Sequence, residues 1–133
     1  MMKSWRYIKM EFYKCAHCGN IVVYFKNSGV KVMCCGEPMQ LMNPNTTDAA
    51  NEKHVPAVTL DGKDVYVKVG EVTHPMMAAH YIEWIVLETD KGYYKRNLNP
   101  GEAPEAKFVL AEDEKAVAAY EYCNLHGLWK KEL

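Results

Sequence analysis

The 133-residue sequence has no apolar run approaching the roughly 18 residues that a membrane helix needs. Its opening, MMKSWRYIKM, lacks the apolar stretch of a signal peptide, so the cytoplasm is the expected compartment. Charge of one sign is not in excess either. The 16 basic and 17 acidic residues are spread along the chain and leave a formal net charge of -1. That balance argues against the basic footprint of a nucleic-acid binder and against a face held on an anionic membrane. Internal repeats and low-complexity segments are missing. An even cysteine count is missing too: there are five, which without an export signal speaks against a disulfide framework. Clustered thiols in a reducing compartment point instead to metal. The length suits one core of ordinary size with a very small extra unit, and not two equal domains.

What is present is mostly β-patterned. The front, FYKCAHCGNIVVYFKNSGVKVMCCGEPMQL, reads as a hairpin of residues 21–25 and 30–33 across KNSG, with a cysteine pair at each end. Some forty residues hold too little apolar surface to fold alone, so a metal is the expected staple. The polar stretch at 42–51 reads as a linker. Beyond it come VPAVTL, the turn DGKD, VYVKVG, HYIEWIVLET, YYKRNL, AKFVLAE and AVAAYEYCN. About seven short strands separated by turn signals predict an immunoglobulin-like β-sandwich. AEDEKAVAAYEY has helix propensity, but its Val and Tyr residues leading into a cysteine favour a strand.

Two constellations carry chemistry. Cys15-x2-Cys18 aims two sulfurs at one point, and Cys34-Cys35 brings a second pair, completing a tetrahedral thiolate site suited equally to zinc or iron. Adjacent cysteines cannot both take the relaxed knuckle geometry, so the tetrahedron should be distorted. His17, inside the knuckle, should face solvent. The second set is His54, His74, His80 and Cys123-x2-His126. Pro75 between His74 and His80 excludes a helical pair, so loops must deliver them. Structural zinc stops at four ligands, whereas four imidazoles and a thiolate suit a five- or six-coordinate metal with one open position, which iron provides.

YKCAHCGN, MCCGEPM, EKHVP, HPMMAAHYIEWI and CNLHGLWK, in this order and spacing, resemble desulfoferrodoxin, the two-iron form of superoxide reductase. The resemblance runs from about Tyr13 to Lys130. It implies an all-β chain: a desulforedoxin-like Fe(Cys)4 domain at 1–41, a linker at 42–51 and a sandwich at 52–133 that binds the catalytic iron. Carried over by motif, Cys15, Cys18, Cys34 and Cys35 hold one iron. His54, His74, His80 and His126 are the equatorial ligands of the other, with Cys123 as its axial thiolate. The implied activity is one-electron reduction of superoxide to hydrogen peroxide at a ferrous centre with an open sixth position. A rubredoxin-like protein is the implied electron donor and a homodimer the implied assembly. Residues 1–9 precede the usual start of the family, for which Met10 would serve; they are read as an extension or a start-site assignment.

The resemblance also gives roles to Glu52, which can occupy the sixth position of the resting oxidised iron, and to Lys53. Elementary electrostatics supports the second role, because a cation beside the open position concentrates a small anion and stabilises charge developing on it. Without the family, an exposed charge pair would be the plainer reading. An iron or copper electron carrier without reductase activity is the alternative function. Blue-copper sites, however, use two histidines, a cysteine and a weak axial ligand, and no methionine follows His126. A zinc-ribbon binding module would leave the second ligand set unexplained.

Overall fold

The computed structural model describes residues 10–133; the expected extension at 1–9 lies outside them. The chain divides into two compact units, one ending at Asn43 and the other spanning Pro44–Leu133.

The first unit is built from two-residue strands. Strand β1 (Tyr13–Lys14) pairs with β2 (Ile21–Val22) on one side and with β5 (Gln40–Leu41) on the other, while β3 (Met33–Cys34) pairs with β4 (Glu37–Pro38). The hairpin expected between residues 21–25 and 30–33 is therefore not formed: β2 and β3 pair with other partners. Local polar groups explain the difference. Asn27 Oδ1 accepts from the Gly29 N–H at 2.8 Å and Tyr24 Oη accepts from the Val32 N–H at 3.2 Å. These bonds take up backbone donors that a continuous ladder would need. Each cysteine pair instead sits at the tip of its own tight turn. The buried core among the described residues of this unit is only Phe12, Cys15 and Met39.

The second unit is a sandwich of seven strands preceded by a single helical turn, α1 (Asn51–His54). One sheet has the order β10-β7-β6, from β6 (Pro56–Asp61), β7 (Asp64–Val69) and β10 (Glu105–Val109). The other has the order β12-β11-β8-β9, from β8 (Ile82–Thr89), β9 (Tyr93–Asn97), β11 (Ala116–Cys123) and β12 (Gly127–Glu132). The DGKD turn closes β6 on β7, with Gly62 at φ +61, where a Cβ would strain the backbone. The segment from Ala116 is a strand, as its Val and Tyr content suggested, because pairing with both β8 and β12 outweighs its helix propensity. Strand β12 carried no clear signal: GLWKKE mixes two buried apolar residues with three charges at a sheet edge.

Between the sheets lie Val65, Val67 and Val69 of β7, Ile82, Ile85 and Leu87 of β8, and Ala119 and Cys123 of β11. The start of the unit is tied to β12 by Asn45. Its side chain accepts from the Lys130 N–H at 2.8 Å and donates to the Lys130 carbonyl at 3.0 Å, imitating a strand partner. Because β6, β8 and β12 begin where β7 and β11 end, five chain segments gather at one end of the sandwich.

Candidate metal centres

The sulfurs of Cys15, Cys18, Cys34 and Cys35 lie within 4.8 Å of one another. Cys15 is buried, and its Sγ receives the backbone N–H groups of His17 at 3.4 Å and Cys18 at 3.5 Å. These two bonds, the Cys18 one foremost, pull its thiol down to about 6. The neighbouring thiols push Cys35 up to about 12 and raise Cys34 as well. A metal that binds all four sulfurs must displace their protons. Cys35 adopts φ +52, the left-handed strain that adjacent cysteines imply. Asn20 Nδ2 donates to Cys34 Sγ at 3.7 Å. His17 stands outside the cluster, half-exposed and paired with Glu37.

At the loaded end of the sandwich, His54, His74, His80, Cys123 and His126 bring their donor atoms within 4.8 Å of one another. His54 closes α1, His74 and His80 lie between β7 and β8, Cys123 ends β11, and His126 lies in the turn before β12. The four imidazoles form a closed ring. Successive centroids are 4.6 Å apart for His54–His74, 4.7 Å for His74–His80, 5.0 Å for His80–His126 and 4.8 Å for His126–His54. Neighbouring planes are within about 15° of perpendicular, at 77°, 80°, 80° and 89°. Cys123 Sγ lies 3.5 Å from His74 Nε2 and 3.9 Å from His126 Nδ1, and the residue is fully buried.

The outer hydrogen bonds fix which nitrogens face inward. His54 Nδ1 donates to the Ala50 carbonyl at 2.8 Å and His74 Nδ1 to the Pro75 carbonyl at 2.7 Å, which leaves both Nε2 atoms with lone pairs. Those lone pairs stand 3.1 Å apart and cannot hydrogen-bond each other. His80 Nε2 is buried with no hydrogen-bond partner among the described residues. Such a convergence of unpaired donors is costly except around a cation. Burial holds His54 and His80 below the ordinary imidazole range and brings His74 down to about 4, keeping them neutral and ready to ligate. Burial also raises the Cys123 thiol, so a metal's charge is what would make it a thiolate. The two donor sets suit two iron sites, one of four sulfurs and one of four nitrogens and a sulfur.

Glu52 and Lys53 are exposed on α1, immediately before His54. After burial and the neighbouring imidazoles, the Lys53 charge adds to the lowering of both His54 and His80. Sequence reasoning missed the supports. Trp129, fully buried, stacks on His54 at 4.9 Å and donates Nε1–H to the His126 carbonyl at 3.0 Å, so one indole packs on one imidazole and anchors the backbone of another. Asn124 accepts from the Tyr81 N–H at 3.0 Å and donates to the Ala79 carbonyl at 3.1 Å, tying the Cys123–His126 turn to the loop that presents His80. A signal existed for both, since each lies within CNLHGLW, but only the fold says what they touch. Glu121 lies on the same face of β11 as Cys123, fully buried, and neither carboxyl oxygen has a hydrogen-bond partner among the described residues. Burial pushes that carboxyl well above the usual range, toward the neutral acid.

Among the described residues no helix is long and apolar enough to cross a membrane. A family model described as desulfoferrodoxin matches residues 46–132, and one described as desulfoferrodoxin, N-terminal domain, matches residues 8–42. A desulfoferrodoxin from Nitratidesulfovibrio vulgaris is 52% identical over 122 residues, 92% of this chain and 95% of that protein. Among solved structures, the superoxide reductase from Treponema pallidum has a TM-score of 0.78 and 38% identity, covering 94% of this chain and 100% of that one. A one-iron superoxide reductase from Giardia intestinalis covers 62% of this chain and 99% of its own, with a TM-score of 0.51 and 37% identity. With both of its family models matched and a relative this similar over nearly its full length, the chain belongs to the desulfoferrodoxin family.

Proposed function

We propose that this chain is a superoxide reductase, converting superoxide, one electron and two protons into hydrogen peroxide. The observation that carries the reading is the closed ring of four imidazoles with a buried sulfur beside it. In this reading His54, His74, His80, His126 and Cys123 would hold the catalytic iron. Iron held by these residues would supply the one-electron redox chemistry, with the soft Cys123 sulfur as its electron-rich ligand. Cys15, Cys18, Cys34 and Cys35 hold the second iron. Residues 1–41 carry that desulforedoxin-like unit, 52–133 the catalytic sandwich, and 42–51 join them. The Asn45 bonds to β12 support counting the later part of the join with the sandwich.

The chain's own residues then divide the work. Lys53 attracts the anion to the exposed face and organises water for proton delivery. Glu52, two residues before His54, would supply the carboxylate for a position that such an iron leaves open. Cys123 is fully buried and Glu52 and Lys53 are exposed, which supports an approach of superoxide from the side away from the sulfur. A rubredoxin-like protein supplies electrons, the assembly is a homodimer, and the compartment is the cytoplasm. Five cysteines without a disulfide support a reducing compartment. The test is to mix reduced, iron-loaded protein with superoxide under anaerobic conditions and to measure peroxide and oxygen. Peroxide with iron oxidation and no oxygen is expected; evolved oxygen would mean dismutation, and no peroxide would leave an electron carrier.

A further inference from the structure

Helix α1 is a single turn of four residues with no side-chain cap. A turn that short has no stability of its own, so something outside it must hold Glu52 and Lys53 where they stand. That support is the end of β7. Gly70 has φ +78, and a Cβ built there would lie 2.6 Å from the Glu52 carbonyl oxygen, 2.6 Å from the Lys53 carbonyl carbon and 2.6 Å from the Lys53 carbonyl oxygen. These are backbone atoms, which cannot swing aside as a side chain can. Two residues later the Val72 N–H donates to the same Glu52 carbonyl at 2.9 Å. Residues 70–72 thus form a shelf whose seat is bare hydrogen, and α1 lies directly on it. The His54 ring is held separately, by the Ala50 carbonyl and by Trp129.

We infer that Gly70 is a positioning residue for the superoxide-capturing pair. It sets how deep the backbone of Glu52 and Lys53 sits against the strand end, and so where their side chains stand relative to the imidazole ring. The inference rests on the function proposed above. Any side chain at position 70 must lift Glu52 and Lys53 off the shelf, while Cys123 comes from the end of β11 and His126 from the turn before β12. Gly62 provides the internal control. It has φ +61, so alanine there suffers comparable backbone strain, yet its Cβ would meet nothing within 4 Å.

The experiment compares Gly70→Ala with Gly62→Ala in the full chain. In metal-free protein, the amide protons of Lys53, Val55 and Val72 should exchange about tenfold faster in Gly70→Ala and at the wild-type rate in Gly62→Ala. In iron-loaded protein, Gly70→Ala should keep its iron and the sulfur-to-iron absorption band while reacting with superoxide about tenfold more slowly at low salt, with a flattened salt dependence. Wild-type exchange and rate in Gly70→Ala would overturn the inference. So would loss of iron and of the absorption band together with the rate, because that is general damage and not misplacement. Should Gly70→Ala fail to accumulate, Val72→Pro removes the N–H that the Glu52 carbonyl accepts, and it is read in the same assays with exchange followed at Lys53 and Val55. If wild-type protein makes no peroxide, the proposed function fails, whereas the exchange comparison still decides whether Gly70 seats α1.

Discussion

The two metal centres are built on opposite plans. The sulfur centre lies in a unit whose strands are two residues long, whose described buried core is three residues, and whose Cys18 and Cys35 are exposed. The five-donor centre caps a sandwich with strands of five to eight residues and a continuous core from Val65 to Cys123. In the first, the metal organises the protein. In the second, the protein organises the donors: Ala50, Pro75, Trp129 and Asn124 orient the imidazoles or their loops through contacts that exist without any cation. A site arranged in advance can leave one metal position open for chemistry; a site that is its own scaffold needs all four ligands closed.

That contrast can be broken most directly at the sulfur centre. Replacing Cys18 and Cys35 by serine, or stripping its metal, should cost the first unit on the order of 10 kcal/mol of metal-linked folding energy. Amide exchange should then show residues 10–43 unprotected and the strands of the sandwich at their wild-type rates. Simultaneous loss of protection in both units would show that the second centre's scaffold is not independent. Next in size is Cys123→Ser. The sandwich should remain folded, but the sulfur-to-iron band should vanish and the rate with superoxide should fall by more than the ~10–100-fold typical of outer-shell partners. A retained band would remove Cys123 from the ligand set.

Acidification sharpens the comparison in the metal-free protein. His74 resists protonation in the folded state until about pH 4, whereas the unfolded chain takes up that proton near 6.5. The unfolded state therefore binds more protons between those values, so stability is full above 6.5 and falls as the pH drops toward 4. The loss from His74 should be about 3 kcal/mol, with His54 and His80 adding in the same direction. Urea midpoints of the sandwich measured from pH 7 to 4 check the slope, and a flat profile contradicts the buried, neutral imidazoles. The smallest effect belongs to Lys53→Ile: about tenfold slower reaction with superoxide at low salt, with the difference shrinking as salt screens the charge. An unchanged rate would remove Lys53 from the mechanism.

The donors of both centres were legible because cysteine and histidine are scarce here and nearly all of them fall into short, spaced motifs. The sandwich was legible from alternation in VYVKVG and from the turn residues between strands. The first unit was less so. IVVYF and VKVM have β-rich composition, yet Tyr24 and Asn27 spend their polar groups on the loop backbone, and that competition is decided by side-chain reach and not by pattern. Gly70 was invisible for a different reason: a glycine after VYVKV reads as a turn, and only the packed structure reveals the Glu52 and Lys53 carbonyls above it. Trp129 reads as a core aromatic until His54 is found against its face.

The chemistry should belong to the five-donor centre and need nothing from the sulfur centre during a single turnover. This independence is tested most directly in the full chain carrying Cys18→Ser and Cys35→Ser, with its remaining iron reduced and then mixed anaerobically with superoxide. One hydrogen peroxide per iron oxidised, no oxygen and a wild-type rate are expected. Oxygen evolution, or loss of peroxide while the five-donor iron is still bound and reduced, would contradict it.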